Sequence, residues 1–298
     1  MPIAELLAIS AAVCAALSGM LIAELRGRLD IFRLGRWQMI TAFALTGGVS
    51  LVLGGWRTIA AWQFAFLAAS SFFGIILAST TYYATIYSIG ARNTALLFSL
   101  TSPFALLLGY FVLGETISLR QGAGIALVLA GIVLAIGLPN ARGAERAPAM
   151  GTEAKAPWRG IALGVTTALG QALGGLCARP AMAAGAEPFT AMAIRAGVAG
   201  VFFFALAALP LPVLKSPHRF SWRVFGVAAA SAFIGVGLGM SLNMAALARG
   251  KVGIVSTLSS MTPVVILPMV WIRTGVAPPR RAWAGALLAA VGTACIGL

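Results

Sequence analysis

The chain has 298 residues, 60% of them hydrophobic and only 9% charged, with a formal net charge of +14. A soluble domain carries about 25% charged residues, so this chain lacks the charge to cover a globular surface in water. Its Lys and Arg residues fall in short clusters between apolar runs, not along one stripe, which argues against a nucleic-acid partner and fits the loops of a membrane protein.

A membrane helix needs about 20 apolar residues. Ten such segments follow in order, at 3–24, 36–54, 62–88, 93–113, 119–138, 159–179, 188–212, 223–248, 252–272 and 280–298. The first has no basic stretch before it and no small-residue cleavage site after it, so it is expected to be a retained helix. Most breaks combine charge with Gly or Pro, as in "ELRGRLD", "GAR", "KSPHRF" and "RTGVAPPRR". Cys14, Cys177 and Cys295 lie inside apolar runs without paired spacing and are expected to pack as small apolar groups. One long polar stretch, "PNARGAERAPAMGTEAKAPWRG", divides the chain. It predicts five-helix units at 1–138 and 159–298, joined by a flexible linker at 139–158.

The two units repeat weakly. At a constant offset of 160, Gly90 falls on Gly250, Ser102 on Thr262, Pro103 on Pro263 and Gly137 on Gly297. Five is an odd number of crossings, so the second unit enters the membrane from the opposite side. The expected fold class is therefore an all-α polytopic membrane protein, with ten transmembrane helices as two inverted five-helix repeats around a central cavity. Fifteen Lys and Arg residues fall on the linker side of this topology and six on the other. The positive-inside rule then puts the linker in the cytoplasm and both termini in the periplasm, in a bacterial inner membrane.

"TALLFSLTSPFALLLGYFVLGETISLRQGAGIALVLAGIVL" carries Pro103, Gly114–Glu115, Gln121–Gly122 and Gly131. It resembles the last two helices of an EamA repeat of the drug/metabolite transporter superfamily. Nearly the whole chain resembles two such repeats, and in length and organisation it resembles the YddG-type exporters of aromatic amino acids and related metabolites. The resemblance implies ten helices around a cavity and no soluble domain. The second unit departs from it, with Gly275 where Glu115 would fall.

Candidate site residues follow from polar groups in apolar surroundings. Ser99, Ser102 and Pro103 have counterparts in Ser259, Ser260, Thr262 and Pro263. A proline inside a membrane helix frees a carbonyl that nearby hydroxyls satisfy. Two kinked helices of this kind are expected to line the substrate cavity. Tyr82, Tyr83, Gln171 and Asn243 join them, because a polar side chain in lipid needs a partner. Tyr87 is expected at the interface, and Arg195 as a helix-end anchor with a lesser prospect of meeting an anionic group. The glycine pairs 160/164, 170/174 and 235/239 predict close helix packing.

The seven carboxylates all fall near segment ends or in loops, so no intramembrane proton relay is expected. The single histidine, His218, is in a loop, and no nucleophile–base pair or metal-ligand cluster is present, which argues against an enzyme. The expectation is a carrier of amino acids, aromatic or otherwise amphipathic, and related small metabolites. It works by alternating access in the lipid bilayer as a monomer, with no cofactor, metal or catalytic residue. A multidrug or nucleotide-sugar carrier of the same superfamily is the alternative.

Overall fold

The computed structural model describes residues 2–114, 116–136, 157–208, 221–239, 242, 258 and 261–297. Helices and turns account for these residues, and none of them forms a strand. The first unit contains α1 (Pro2–Glu24), α2 (Ile31–Leu53), α3 (Ala61–Ser71), α4 (Ala78–Phe98), α5 (Thr101–Leu113) and α6 (Leu119–Ile136). The second contains α7 (Pro157–Ala183), α8 (Pro188–Ala208), α9 (Trp222–Ala232), α10 (Thr262–Thr274) and α11 (Arg280–Gly297). Short π-helical segments continue α3 at Phe72–Leu77 and α9 at Phe233–Gly239.

Polarity runs inside out relative to a soluble protein. Gln38, Ser70, Ser71, Thr85 and Ser231 are buried, while Val52, Phe111 and Ile272 are 86%, 77% and 85% exposed. Such a surface suits lipid, where backbone groups are satisfied within helices and polar side chains turn to one another. Among the described residues, Glu5–Glu24, Ala61–Phe98, Trp158–Ala183, Pro188–Ala208 and Trp222–Gly239 are long and apolar enough to cross a membrane. The 139–158 linker lies largely outside the described residues, and α7 already begins at Pro157.

Helix ends explain where the boundaries differ from the hydropathy reading. α2 starts at Ile31, not 36, because Asp30 caps it: the carboxylate accepts from the N–H groups of Phe32 (3.0 Å) and Arg33 (2.8 Å). Glu187 caps α8 likewise, accepting from the Phe189 N–H (2.9 Å), the Thr190 N–H (2.6 Å) and the Thr190 hydroxyl (2.7 Å). α7 runs on through Arg179 and Pro180 to Ala183.

The 38-residue stretch Ala61–Phe98 is two antiparallel arms, not one rod. Gly90 has φ 81° and ψ 162°, a conformation close to glycine-only. The chain reverses there. Tyr82 and Phe98 would stand about 24 Å apart along a straight helix, yet their rings pack edge-on at 5.9 Å. Leu97 joins Ala168 in one buried cluster, so the second arm folds back along α7.

A second break falls at Ser99–Leu100. Their N–H groups bond to Leu96 and Leu97 three residues back, and α5 starts afresh at Thr101. Pro103 is therefore in the first turn of a new helix, where its missing N–H leaves nothing unsatisfied. Pro263 also lies in the first turn of α10, one residue nearer its start. The expectation of mid-helix proline kinks is corrected accordingly, and the hydroxyl of Ser99 only leans toward its own helix, at 3.5 Å from the Ala95 oxygen.

The element boundaries recur at an offset of 161, one more than the sequence alignment suggested. α3 and α9 run 61–71 and 222–232, α5 and α10 run 101–113 and 262–274, and α6 and α11 run 119–136 and 280–297. Gly114 (φ 67°) and Gly275 (φ 69°) cap α5 and α10 as left-handed partners. The prolines match at 160 because a first-turn proline tolerates a one-residue slip.

α6 and α11 cross antiparallel on glycine. A Cβ added to Gly124 would sit 2.7 Å from the Gly292 oxygen, and one on Gly131 would sit 2.5 Å from the Gly285 oxygen. Shifted by 161, each of these contacts becomes the other. The same exchange recurs elsewhere: α7 packs along α3 and its π segment, and α1 packs along α9 and its π segment. Gly174 meets Gly74 in the first case, and Ser18 meets Gly235 in the second. The glycine pairs singled out in the sequence are thus packing contacts, as expected: Gly160 and Gly164 receive Ile89 and Leu97, and Gly239 receives Cys14.

Candidate functional site

A cavity of about 260 Å³ lies where these elements converge. α2 contributes Gln38, Met39 and Ala42, and the first π segment contributes Gly74 and Ile75. α4 adds Ser79 and Tyr83, α7 adds Gln171, α8 adds Met192, Arg195 and Ala196, and the second π segment adds Gly235 and Val236. At the structural offset of 161, Gly74 and Ile75 match Gly235 and Val236, so the two π segments present equivalent residues to one space. A π segment inserts an extra residue into a helix and recurs at functional sites. Here the two segments turn glycine toward neighbouring helices and toward the cavity.

Hydrogen bonds hold the wall. Ser70 donates to the Gly174 oxygen and Ser71 to the Arg195 oxygen, each at 2.6 Å. Ser18 donates to the Ser231 oxygen at 2.8 Å, and the Gln38 amide donates to the Ser231 hydroxyl at 2.6 Å. In a membrane such bonds average about 0.6 kcal/mol. Together they fix the rotamers around the cavity more than they drive assembly.

Arg195 dominates the cavity. It is the eighth residue of α8, about 10 Å from the start of that helix. Its Nη1 touches the Met192 sulfur at 3.5 Å, and its Nε is buried without a partner. The Gln171 Oε1 is also buried without a partner. Both groups flank Gly74: an added Cβ there would lie 2.8 Å from the Arg195 Nη2 and 3.2 Å from the Gln171 Oε1. Glycine at 74 therefore makes the room in which a cationic donor and a neutral acceptor stand side by side. Among the described residues, no acidic residue lines the cavity. A buried water needs about 10–15 Å³ of free space, so the cavity holds far more than the hydration of one guanidinium.

A second cavity, of about 140 Å³, adjoins the first through Met192 and Val236, which line both. It is bounded by Leu45, Val49, Phe189, Phe233 and Leu238 and is almost wholly apolar.

The profile of the EamA-like transporter family matches residues 2–137 and again residues 158–298. The chain belongs to the EamA-like transporter family. Each match covers one of the two units, so this EamA-like transporter carries the family's repeat twice. No curated protein matches the chain. One solved structure, described by the words "Crystal structure of protein", matches over 98% of this chain and 95% of its own, with a TM-score of 0.66 at 16% identity. That is a likeness of fold.

Within this EamA-like transporter the sequence candidates separate. Tyr83 and Gln171 line the polar cavity. Tyr82, Ser99, Ser102, Pro103, Thr262 and Pro263 line neither cavity. Tyr82 packs its ring on Tyr83 and Phe98, between α1 and the Gly90 reversal. Pro103 and Pro263 are buried, and Ser99, Ser102 and Thr262 are half-buried. α5 leans on α7, and α10 leans on α1 and α4. Asn243, Ser259 and Ser260 lie outside the described residues. Tyr87, expected at the interface, packs against the cluster of α1 and α4, with its hydroxyl buried and unpartnered.

The sequence reading favoured a helix end for Arg195 and kept an anionic contact as the lesser prospect. The residue sits only eight residues after Glu187, close to the predicted start of its segment, and only the folded bundle brings it against Gly74 and Gln171. One signal was available in the sequence: Arg195 is the sole charged residue within 188–212.

Proposed function

We propose that this EamA-like transporter carries small amphipathic metabolites across a bacterial inner membrane, foremost amino acids with aromatic or other apolar side chains. The observation that carries the reading is the Arg195 cavity, a buried cation with amide and hydroxyl neighbours beside an apolar annex. A solute with an anionic group and an apolar body complements both. An arginine without a neighbouring carboxylate repels cationic drugs, and a single cation is a poor match for the two phosphates of a nucleotide sugar.

Alternating access is the mechanism that fits. The two halves form ten crossings as an inverted pair, and the exchange of contacts at Gly124–Gly292 and Gly131–Gly285 supports that symmetry. The halves rock about this seam while the solute waits between the π segments. The linker at 139–158 faces the cytoplasm, and the carrier works as a monomer, since ten helices can enclose a path alone. With no carboxylate in the cavity among the described residues, the reading favours facilitated diffusion or exchange over coupling by an intramembrane proton relay.

The test is flux. Purified protein in liposomes is loaded with labelled amino acids, with and without a pH gradient. The reading expects uptake of aromatic and large apolar amino acids above empty liposomes, insensitive to the gradient. Flux no greater than in empty liposomes across a broad panel overturns it, and steep dependence on the proton gradient overturns the coupling mechanism alone.

A further inference from the structure

The polar cavity is asymmetric in a way that specifies which end of a solute goes where. Among the described residues, its charge comes from Arg195 of the second half. Two buried polar atoms on the side chains that flank Gly74 lack any partner: the Arg195 Nε, a donor, and the Gln171 Oε1, an acceptor. A buried polar atom left unpaired is costly, so a donor and an acceptor on neighbouring side chains suit a ligand with both functions. A simple anion satisfies the guanidinium and leaves the amide oxygen unpaired. A simple amine does the reverse and sits against a cation. A zwitterion satisfies both.

We propose that Arg195 and Gln171 form the headgroup half of the substrate site. The guanidinium takes an α-carboxylate, and the amide oxygen takes the adjoining α-ammonium, with the hydroxyls of Ser79 and Tyr83 as further acceptors. The solute's side chain passes between Met192 and Val236 into the apolar cavity. Gly74 is the positioning element, because any Cβ there fills the corner the headgroup occupies. The site selects free α-amino acids with apolar side chains over the matching carboxylic acids and amines. This rests on the carrier reading above and narrows it to one ligand chemistry and two contact residues.

The experiment measures equilibrium binding of labelled phenylalanine, 3-phenylpropionate and phenethylamine to the purified full chain, alongside phenylalanine flux in liposomes. Wild type is expected to bind phenylalanine about tenfold or more tighter than either analogue, the scale of one lost charged hydrogen bond. Arg195→Gln is expected to weaken phenylalanine about tenfold or more without weakening phenethylamine, and Arg195→Lys to recover part of the loss. Gln171→Leu is expected to weaken phenylalanine while leaving phenylpropionate unchanged. Val236→Trp, which narrows the passage between the two cavities, is expected to weaken phenylalanine and spare alanine. Wild-type phenylalanine affinity in both Arg195→Gln and Gln171→Leu overturns the headgroup assignment while leaving the carrier reading intact. Equal loss of all three probes in folded Arg195→Gln also overturns it. Wild-type protein that neither binds nor carries any amino acid overturns the carrier reading itself.

Discussion

The α6–α11 seam and the α7–π contact are both built on glycine, yet they do different work. Along the seam, Gly124, Gly131, Gly285 and Gly292 bring backbone onto backbone, filled out by Ala282, Ala286 and Ala289. At the other contact, Gly74 touches Gly174, but Ser70, Ser71, Gln171 and Arg195 surround the pair and a cavity opens beside it. In lipid, helices are held by close fit and not by apolar burial. A dry seam of small residues therefore gives a fixed axis. The same close approach with polar neighbours and an adjacent hollow gives a place to bind.

Substitutions sharpen that contrast. Gly131→Leu drives a side chain into the Gly285 backbone. It is expected to cost 3 kcal/mol or more, on the order of the upper range for overpacking, seen as a large fall in melting temperature in detergent. Transport falls only because folded protein is lost. Gly74→Ala adds one methyl, and its stability loss is expected at about 1–3 kcal/mol. Phenylalanine flux per folded molecule is expected to fall more steeply than stability, whereas flux that tracks folded protein would place Gly74 with the seam.

Gly90→Ala tests the reversal. A non-glycine residue in that backbone region costs about 1–3 kcal/mol, so a thermal melt should fall modestly and the Tyr82–Phe98 contact should loosen. Ser231→Ala removes the hydroxyl that accepts from Gln38. The expected loss is about 0.6 kcal/mol, the mean for such bonds in membranes, and a double-mutant cycle with Gln38→Ala should return a coupling of that size. The smallest effect belongs to Glu24→Gln, which breaks a 2.7 Å ion pair with Arg273. Arg273 is 54% exposed, so about 0–1 kcal/mol is expected.

Much of the fold was legible because hydropathy and charge register directly in a membrane chain. The "GAR" break foretold the reversal at Gly90, and the glycine pairs foretold close packing. The break at Ser99–Leu100 was not legible, since it falls inside an unbroken apolar run, and Pro103 looked like a kink when it opens a helix. The repeat was found one residue out of register, because the proline match that anchored it is looser than the helix boundaries. The π segments were hidden too: an extra residue in a turn is stabilised by contacts of Ser70, Gly74 and Gly235 with other helices. Of the site, Tyr83 and Gln171 were read from their cost in lipid. Arg195 was given only a lesser prospect of meeting an anionic group, because its proposed role depends on neighbours 24 and 121 residues away in sequence, at Gln171 and Gly74.

The most direct test of where the solute rests is protection from chemical labelling. In a background with the three native cysteines replaced by alanine, Ser79→Cys and Ser102→Cys are exposed in turn to a small membrane-permeant thiol reagent, with and without phenylalanine. If the Arg195 cavity is the resting place, phenylalanine slows modification at 79 and leaves 102 unchanged. Protection at 102 with none at 79 would move the site to the proline-bearing helices and contradict the account.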